Sequence, residues 1–179
     1  MIYTRSGDKG KTSVLNRKRI LKNSQVIKTL GVLDETNSYL GTIKSICDTQ
    51  NTICDKIENI QKDLFLIGAI IAGESFHQKG ISSNLADRVK EMEMEIDRLE
   101  GKLPVQMNFI IPGGTKIASE LFFARTLVRR AEREIVGLRK QFKFKKDILI
   151  YINRLSDYLF ILARWENHKE KIKELYWKE

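Results

Sequence analysis

Ala124-Arg125-Thr126-Leu127-Val128-Arg129-Arg130-Ala131-Glu132-Arg133-Glu134 carries four arginines on a helical spacing, and Asn153-Arg154-Leu155-Ser156-Asp157 follows some way downstream. Each helical residue advances roughly 100°. Leu121, Val128, Ala131 and Ile135 therefore share one flank, while Arg125, Arg129, Arg133 and Glu132 lie within about 100° of arc beside it; Arg130 points elsewhere. A file of planar, permanently charged guanidiniums suits bidentate contact with phosphate oxygens, and Glu132 within it could orient an arginine or accept a hydroxyl. A solvated basic face, or ion pairs one helical turn apart, would give the same pattern.

Working outward, the same 3.6-residue period predicts five helices. The first runs from about Ser24 to Asp48 and places Asp34, Asn37, Ser38 and Gly41 on one small, polar face. That face suits solvent, or close approach by another helix or a ligand. The second covers Thr52 to Gly73 with Ile53, Ile57, Ile60, Leu64, Ile67 and Ile71 as its buried stripe, and the third covers Asn84 to Glu100 with Leu85, Val89, Met92, Ile96 and Leu99. Gly101 stops the third helix. Phe109-Ile110-Ile111-Pro112-Gly113-Gly114 contains a sharp turn and leads into the arginine helix, expected from Thr115 to Gln141. The last helix runs from Lys146 to Lys169 with Ile148, Ile152, Leu155, Leu159 and Leu162 inward and Asn153, Asp157 and Arg164 in a polar stripe.

The 179 residues, 42% hydrophobic, suffice for one domain spanning 1–179, and two prolines with eleven glycines favour an all-α fold over a sandwich or barrel. The net charge of +9 implies attraction to polyanions. No zinc-finger spacing, RNP-like aromatic pattern or helix-turn-helix accompanies that charge, which argues against nucleic acid as the partner. Cys47 and Cys54 with His77 and His168 provide no structural-zinc spacing, so no metal site is expected, and a reduced, intracellular protein is the simplest inference. The beginning Met1-Ile2-Tyr3-Thr4-Arg5-Ser6 lacks a basic-then-apolar leader, and the longest apolar run, Leu64 to Ala72, is too short to span a bilayer. A soluble, cytoplasmic protein without membrane association is expected.

Residues 3 to 23 lack helical periodicity and read as an ordered loop or short extended arm. Gly10-Lys11-Thr12 resembles the tail of a P-loop, but Arg5 stands where that motif needs its first glycine, and residues 1–5 are not expected to supply the buried strand that should precede it. What remains is a loop with hydroxyls at Thr4, Ser6, Thr12 and Ser13, backbone amides freed by Gly7 and Gly10, and cations at Arg5, Lys9, Lys11 and Lys22. Such a loop can wrap phosphates or be a flexible surface arm.

Taken in order, Tyr3-Thr4-Arg5-Ser6-Gly7-Asp8-Lys9-Gly10-Lys11-Thr12-Ser13, Lys22, Gly31-Val32-Leu33-Asp34-Glu35-Thr36-Asn37-Ser38, Phe109 to Gly114, the arginine block and Asn153 to Asp157 resemble the PduO-type ATP:cob(I)alamin adenosyltransferases. The match spans residues 3 to 164. The resemblance implies a five-helix bundle with an ordered amino-terminal nucleotide-binding loop, assembled as a homotrimer with an active site at each subunit interface. It implies ATP binding by Thr4, Arg5, Ser6, Gly7, Thr12, Ser13 and Lys22 of one subunit and by Arg129, Arg130, Glu132, Arg133 and Asn153 of the next. Asp34 and Arg125 match a pair that bridges subunits, Phe109 matches the aromatic that closes the lower face of the corrin, and Phe109 and Arg129 are the expected catalytic residues.

The implied reaction uses ATP, with Mg2+, and cob(I)alamin as substrates and needs no protein nucleophile, because Co(I) is itself a strong one. A corrinoid reductase and an adenosylcobalamin-dependent enzyme are the implied partners. Three positions depart from the family pattern: Phe122 where many relatives carry histidine, Thr36 where leucine is common, and Ser6 for threonine.

Overall fold

Ile53, Ile57, Ile60, Leu64, Ile67 and Ile71 form an unbroken apolar stripe, and a computed structural model of the chain buries all six. The structure describes residues 3, 5–15, 19–47, 52–73, 85–138 and 146–177. Among these, five helices carry the fold: α1 (Gln25–Ile46), α2 (Ile53–Ile71), α3 (Leu85–Glu100), α4 (Lys116–Leu138) and α5 (Lys146–Lys169). Two antiparallel ladders accompany them, β1 (Lys11–Ser13) with β2 (Arg19–Leu21), and β3 (Ile110–Ile111) with β4 (Leu175–Tyr176). The protein is an all-α five-helix bundle. No described helix is long and apolar enough to cross a membrane.

Helix α1 packs between α2 and α4, α4 between α1 and α5, and α3 lies on α5. The core along these seams contains Leu40, Ile43, Ile57, Leu64, Leu99, Leu121, Ile135, Ile148 and Ile152. Alanine at 118, 124 and 131 leaves α4 without bulk where it is fully buried, letting its neighbours approach closely. Of the stripe expected on α3, Leu85, Val89, Met92 and Leu99 are buried and Ile96 is half-buried.

Polar contacts close the bundle between α2, α3 and α5. Tyr151 donates to Asp63 Oδ2 at 2.9 Å, Arg88 lies 3.8 Å from the same carboxylate, and Arg154 donates to Glu93 at 3.1 Å. Burial raises the Asp63 pKa, against the opposing effects of Tyr151 and Arg88. Lys56 of α2 pairs with Glu95 of α3, which also accepts Arg98 at 2.7 and 2.8 Å.

The Pro-Gly-Gly turn is fastened to α5. Asn167, almost fully buried, accepts the Thr115 N–H at 2.9 Å and donates to the Gly113 carbonyl at 2.9 Å. Thr115 Oγ1 then accepts the Ala118 N–H at 3.0 Å, capping the first turn of α4. Gly114 has φ 112°, and a Cβ there would stand 2.0 Å from Asn167 Oδ1. Glycine is required twice over at this position.

Gly114→Ala should therefore cost about 2–4 kcal/mol through backbone strain and a broken buried hydrogen bond; a urea midpoint equal to that of the parent would contradict this account. Arg98, with Lys56 beside it, holds the Glu95 carboxyl down to about 2 against an ordinary 4.5. Its folded value being the lower, the cluster contributes stability above pH 4.5 that is lost as the pH falls toward 2. Glu95→Gln should flatten the stability profile in that window, as read by acid titration of helicity.

Candidate active site

Two tight turns shape the amino-terminal segment. Arg5 (φ 57°) and Gly10 (φ 71°) both adopt left-handed conformations, and the Gly10 N–H donates to Gly7 at 3.3 Å while the Lys22 N–H donates to Gly10 at 2.9 Å. The expected loop is thus a β-hairpin whose register pairs Thr12 with Ile20 and Ser13 with Arg19. Arg19 donates to the Ser6 carbonyl, and the Lys22 ammonium lies so near Gly7 that a Cβ there would be 3.2 Å from Nζ. Arg5, Ser6, Gly7, Thr12, Ser13 and Lys22 consequently share one small element; Arg5 also lies over the Tyr3 ring at 5.6 Å. Thr4 falls outside the described residues.

On α4, Arg129 and Arg133 are exposed and Arg125 is half-buried. The Arg125 guanidinium sits 5.4 Å from the centroid of Phe160, and burial, followed by the neighbouring Arg129, lowers its pKa while Asp157 opposes them. Asn153 of α5 donates to Glu132 Oε1 at 3.1 Å, which brings those two predicted ATP ligands together and fixes the asparagine amide beside the file. Arg130 points away from the file, as its helical position predicts: its Nη2 pairs with Glu35 of α1, and its buried Nε has no acceptor among the described residues. Asp34 is exposed and makes no ion pair among the described residues, so within one chain it does not meet Arg125.

The polar face expected on α1 divides. Asp34 and Ser38 are exposed, whereas Asn37 is buried, its backbone carbonyl accepting the Gln61 side-chain amide at 3.0 Å from α2. The stripe expected on α5 also needs correction. Asn153 and Asp157 face solvent, but Arg164 is 2% exposed and donates through Nε and Nη2 to Glu174 at 2.7 and 3.1 Å, and through Nη2 to the Pro104 carbonyl at 2.8 Å. A buried acceptor set drew this arginine inward.

Phe109 is 78% exposed, immediately before β3, and its carbonyl accepts the Trp177 N–H at 2.8 Å, extending the ladder. Alternation along the two strands places Phe109, Ile111, Leu175 and Trp177 on an exposed apolar face and leaves Ile110 and Tyr176 half-buried. Sequence reading missed β4. Leu175-Tyr176-Trp177, an apolar triplet after a charged stretch, was the available signal.

The three departures find physical accounts of different strength. Phe122 is buried and meets Phe160 edge-on at 5.7 Å, so it packs behind the ring that carries Arg125 and belongs to the core. Thr36 is fully buried, and its hydroxyl donates to the Val32 carbonyl at 2.7 Å, leaving no orphaned donor. Ser6 offers its carbonyl to Arg19, a backbone contact indifferent to serine or threonine.

The arrangement therefore presents a cationic hairpin, an arginine face with a fixed asparagine, and an exposed aromatic platform. The family model for cobalamin adenosyltransferases matches residues 2–166. The chain is 40% identical over 172 residues to the corrinoid adenosyltransferase PduO of Citrobacter freundii, covering 93% of this chain and 50% of that protein. It is 36% identical over 174 residues to a corrinoid adenosyltransferase of Bacillus subtilis, covering 96% and 89%. The chain thus spans about half the length of the PduO relatives it matches and most of the other. Among solved structures, a phenylalanine-to-alanine variant of a PduO-type ATP:corrinoid adenosyltransferase from Lactobacillus reuteri, complexed with cobalamin and ATP, superposes with a TM-score of 0.92 at 35% identity over 100% of both chains. An arginine-to-lysine variant from the same organism, complexed with ATP, gives 0.90 at 36% identity, covering 99% of this chain and all of the other. By fold, matched residues and identity, this chain belongs to the cobalamin adenosyltransferase family.

Proposed function

We propose that this protein transfers the 5′-deoxyadenosyl group of ATP to cob(I)alamin, yielding adenosylcobalamin and triphosphate. The observation that carries the reading is the full-length structural match to a relative holding both ATP and cobalamin, joined to an arginine face and an exposed Phe109 in this chain. Cobalt(I) attacks the ribose C5′: a Co–C bond forms, the C5′–O5′ bond breaks, and its electron pair leaves on the triphosphate. Arg129 and Arg133 offset the charge gathering on that leaving group, and the amides and cations of residues 5–13 with Lys22 cradle the phosphates. The Glu132–Asn153 hydrogen bond orients the Asn153 amide toward the nucleotide.

The reading places these two halves on adjoining subunits of a homotrimer, with the exposed Asp34 reaching a neighbour's Arg125 across the interface. Thr4 completes the hairpin's set of phosphate ligands. Arg130 supplies its unmatched Nε to a ligand oxygen while Glu35 holds its far end. Mg2+ would enter with ATP as a counterion of its phosphates. Phe109 packs against the lower face of the corrin and excludes an axial ligand, which makes Co(II) easier to reduce. The chain would act as a single cytoplasmic domain, taking its electron from a corrinoid reductase and passing its product to an adenosylcobalamin-dependent enzyme.

Mixing the protein with chemically reduced cob(I)alamin and MgATP should discharge the Co(I) absorbance and release triphosphate; persistence of that absorbance would reject the reading. Phe109→Ala should lose at least about 100-fold when turnover starts from Co(II) plus reductant, yet less than about 10-fold when it starts from Co(I). Equal losses in the two assays would remove the axial role.

A further inference from the structure

We propose that Arg164 and Glu174 are positioning residues for Phe109, acting through the β3–β4 ladder; this rests on the reading that Phe109 closes the lower face of the corrin. The ring is 78% exposed, so packing within the chain does not fix it. Its placement follows from its backbone. Upstream, Val105, Gln106, Met107 and Asn108 are exposed and belong to no strand or helix. Downstream, the Trp177 N–H on the Phe109 carbonyl and the pairings Ile110 with Tyr176 and Ile111 with Leu175 set the course of the chain.

Arg164 holds both ends of this arrangement at once. Nη2 donates to the Pro104 carbonyl at 2.8 Å, anchoring the segment before Phe109. The same nitrogen and Nε form a fork on Glu174 at 3.1 and 2.7 Å, anchoring the residue immediately before β4, and the Tyr176 hydroxyl adds a third bond to that carboxylate at 3.0 Å. The pair is nearly sealed from solvent, with side chains 2% and 10% exposed. A buried ion pair contributes little net stability compared with apolar residues of equal volume, whereas its fork admits one geometry. Its position between the two anchors of Phe109 gives that geometry a purpose: it sets where an otherwise unsupported ring stands against the corrin.

The test compares Co(II)-start and Co(I)-start turnover of Glu174→Gln, Phe109→Ala and the double variant, together with the electron paramagnetic resonance signal of four-coordinate Co(II) formed with ATP. Glu174→Gln should lose about 10-fold or more from Co(II) and less than about 3-fold from Co(I), with a weaker four-coordinate signal. In the Phe109→Ala background it should cost nothing further, because a residue acting through Phe109 has nothing left to position. Equal losses in both assays, or an undiminished loss in the double variant, would overturn the proposal. If Glu174→Gln does not fold, the apolar pair Arg164→Met with Glu174→Leu fills the same volume without the fork and must show the same split. A split in Phe109→Ala without one in the clamp variants removes the clamp alone, whereas no split in Phe109→Ala removes the underlying reading and the clamp with it.

Discussion

Helix α5 is buried against α4 and α3 and reaches α2 through Tyr151, so the polar side chains on its inward face, Tyr151, Arg164 and Asn167, must be satisfied inside the protein. That requirement organises the rest of the molecule. Tyr151 reaches Asp63 on α2, Asn167 holds the turn that starts α4, and Arg164 holds Pro104 and Glu174 around the Phe109 segment. Each of these three is answered by a different element, while Ser156 is satisfied by the Asn153 carbonyl of its own helix, and removing a partner of the three would strand a donor or acceptor in the interior at a cost of roughly 1–3 kcal/mol. Burial of one helix thereby fixes the approach of the arginine helix and the aromatic segment.

The helices were legible because their apolar stripes are long. Ile53 through Ile71 repeats over five turns, and Ile148 through Leu162 over four, well beyond what chance alternation produces. The ladders were not, since strands of two or three residues are too short for a period of two to show. Arg164 illustrates a second limit. An arginine at a helical position ordinarily faces water, and the acceptors that bury this one lie beyond the helix, at Pro104 and Glu174, where no spacing announces them. In the site, the helical projection separates Arg130 from Arg129 and Arg133, and the structure gives it a partner on α1. The support of Arg125 by Phe160, itself backed by Phe122, depends on two helices meeting and has no signature within either one.

That aromatic support shows how a family position can change residue without disturbing the face it underlies. Phe122 contributes an edge to Phe160 from inside the core, so the charge on the surface above is carried by Arg125 alone. A histidine there would bring a titratable ring into the same apolar setting and need a hydrogen-bond partner; phenylalanine needs none. Thr36 makes the opposite exchange, bringing a hydroxyl into the core and satisfying it on the preceding turn of its own helix.

The arginine face is a site of uncompensated charge. Residues four apart on a helix stand about 5–6 Å from one another, so Arg125, Arg129 and Arg133 repel along the file, and no ion pair among the described residues relieves Arg129 or Arg133. Burial and Arg129 lower the Arg125 pKa, and Asp157, already bonded to Arg154, opposes them only in part. A helix surface built for solubility would intersperse acids one turn away, as α3 does with Arg88 and Glu91 or Arg98 and Glu95. On α4 the nearby acid, Glu132, instead accepts from Asn153, so its hydrogen-bonding capacity goes to orienting an amide. The file thus keeps its charge open to solvent and to anything that binds there. On the function proposed above, the triphosphate of ATP would supply the countercharge, because its linear run of oxygens matches a linear file of guanidiniums.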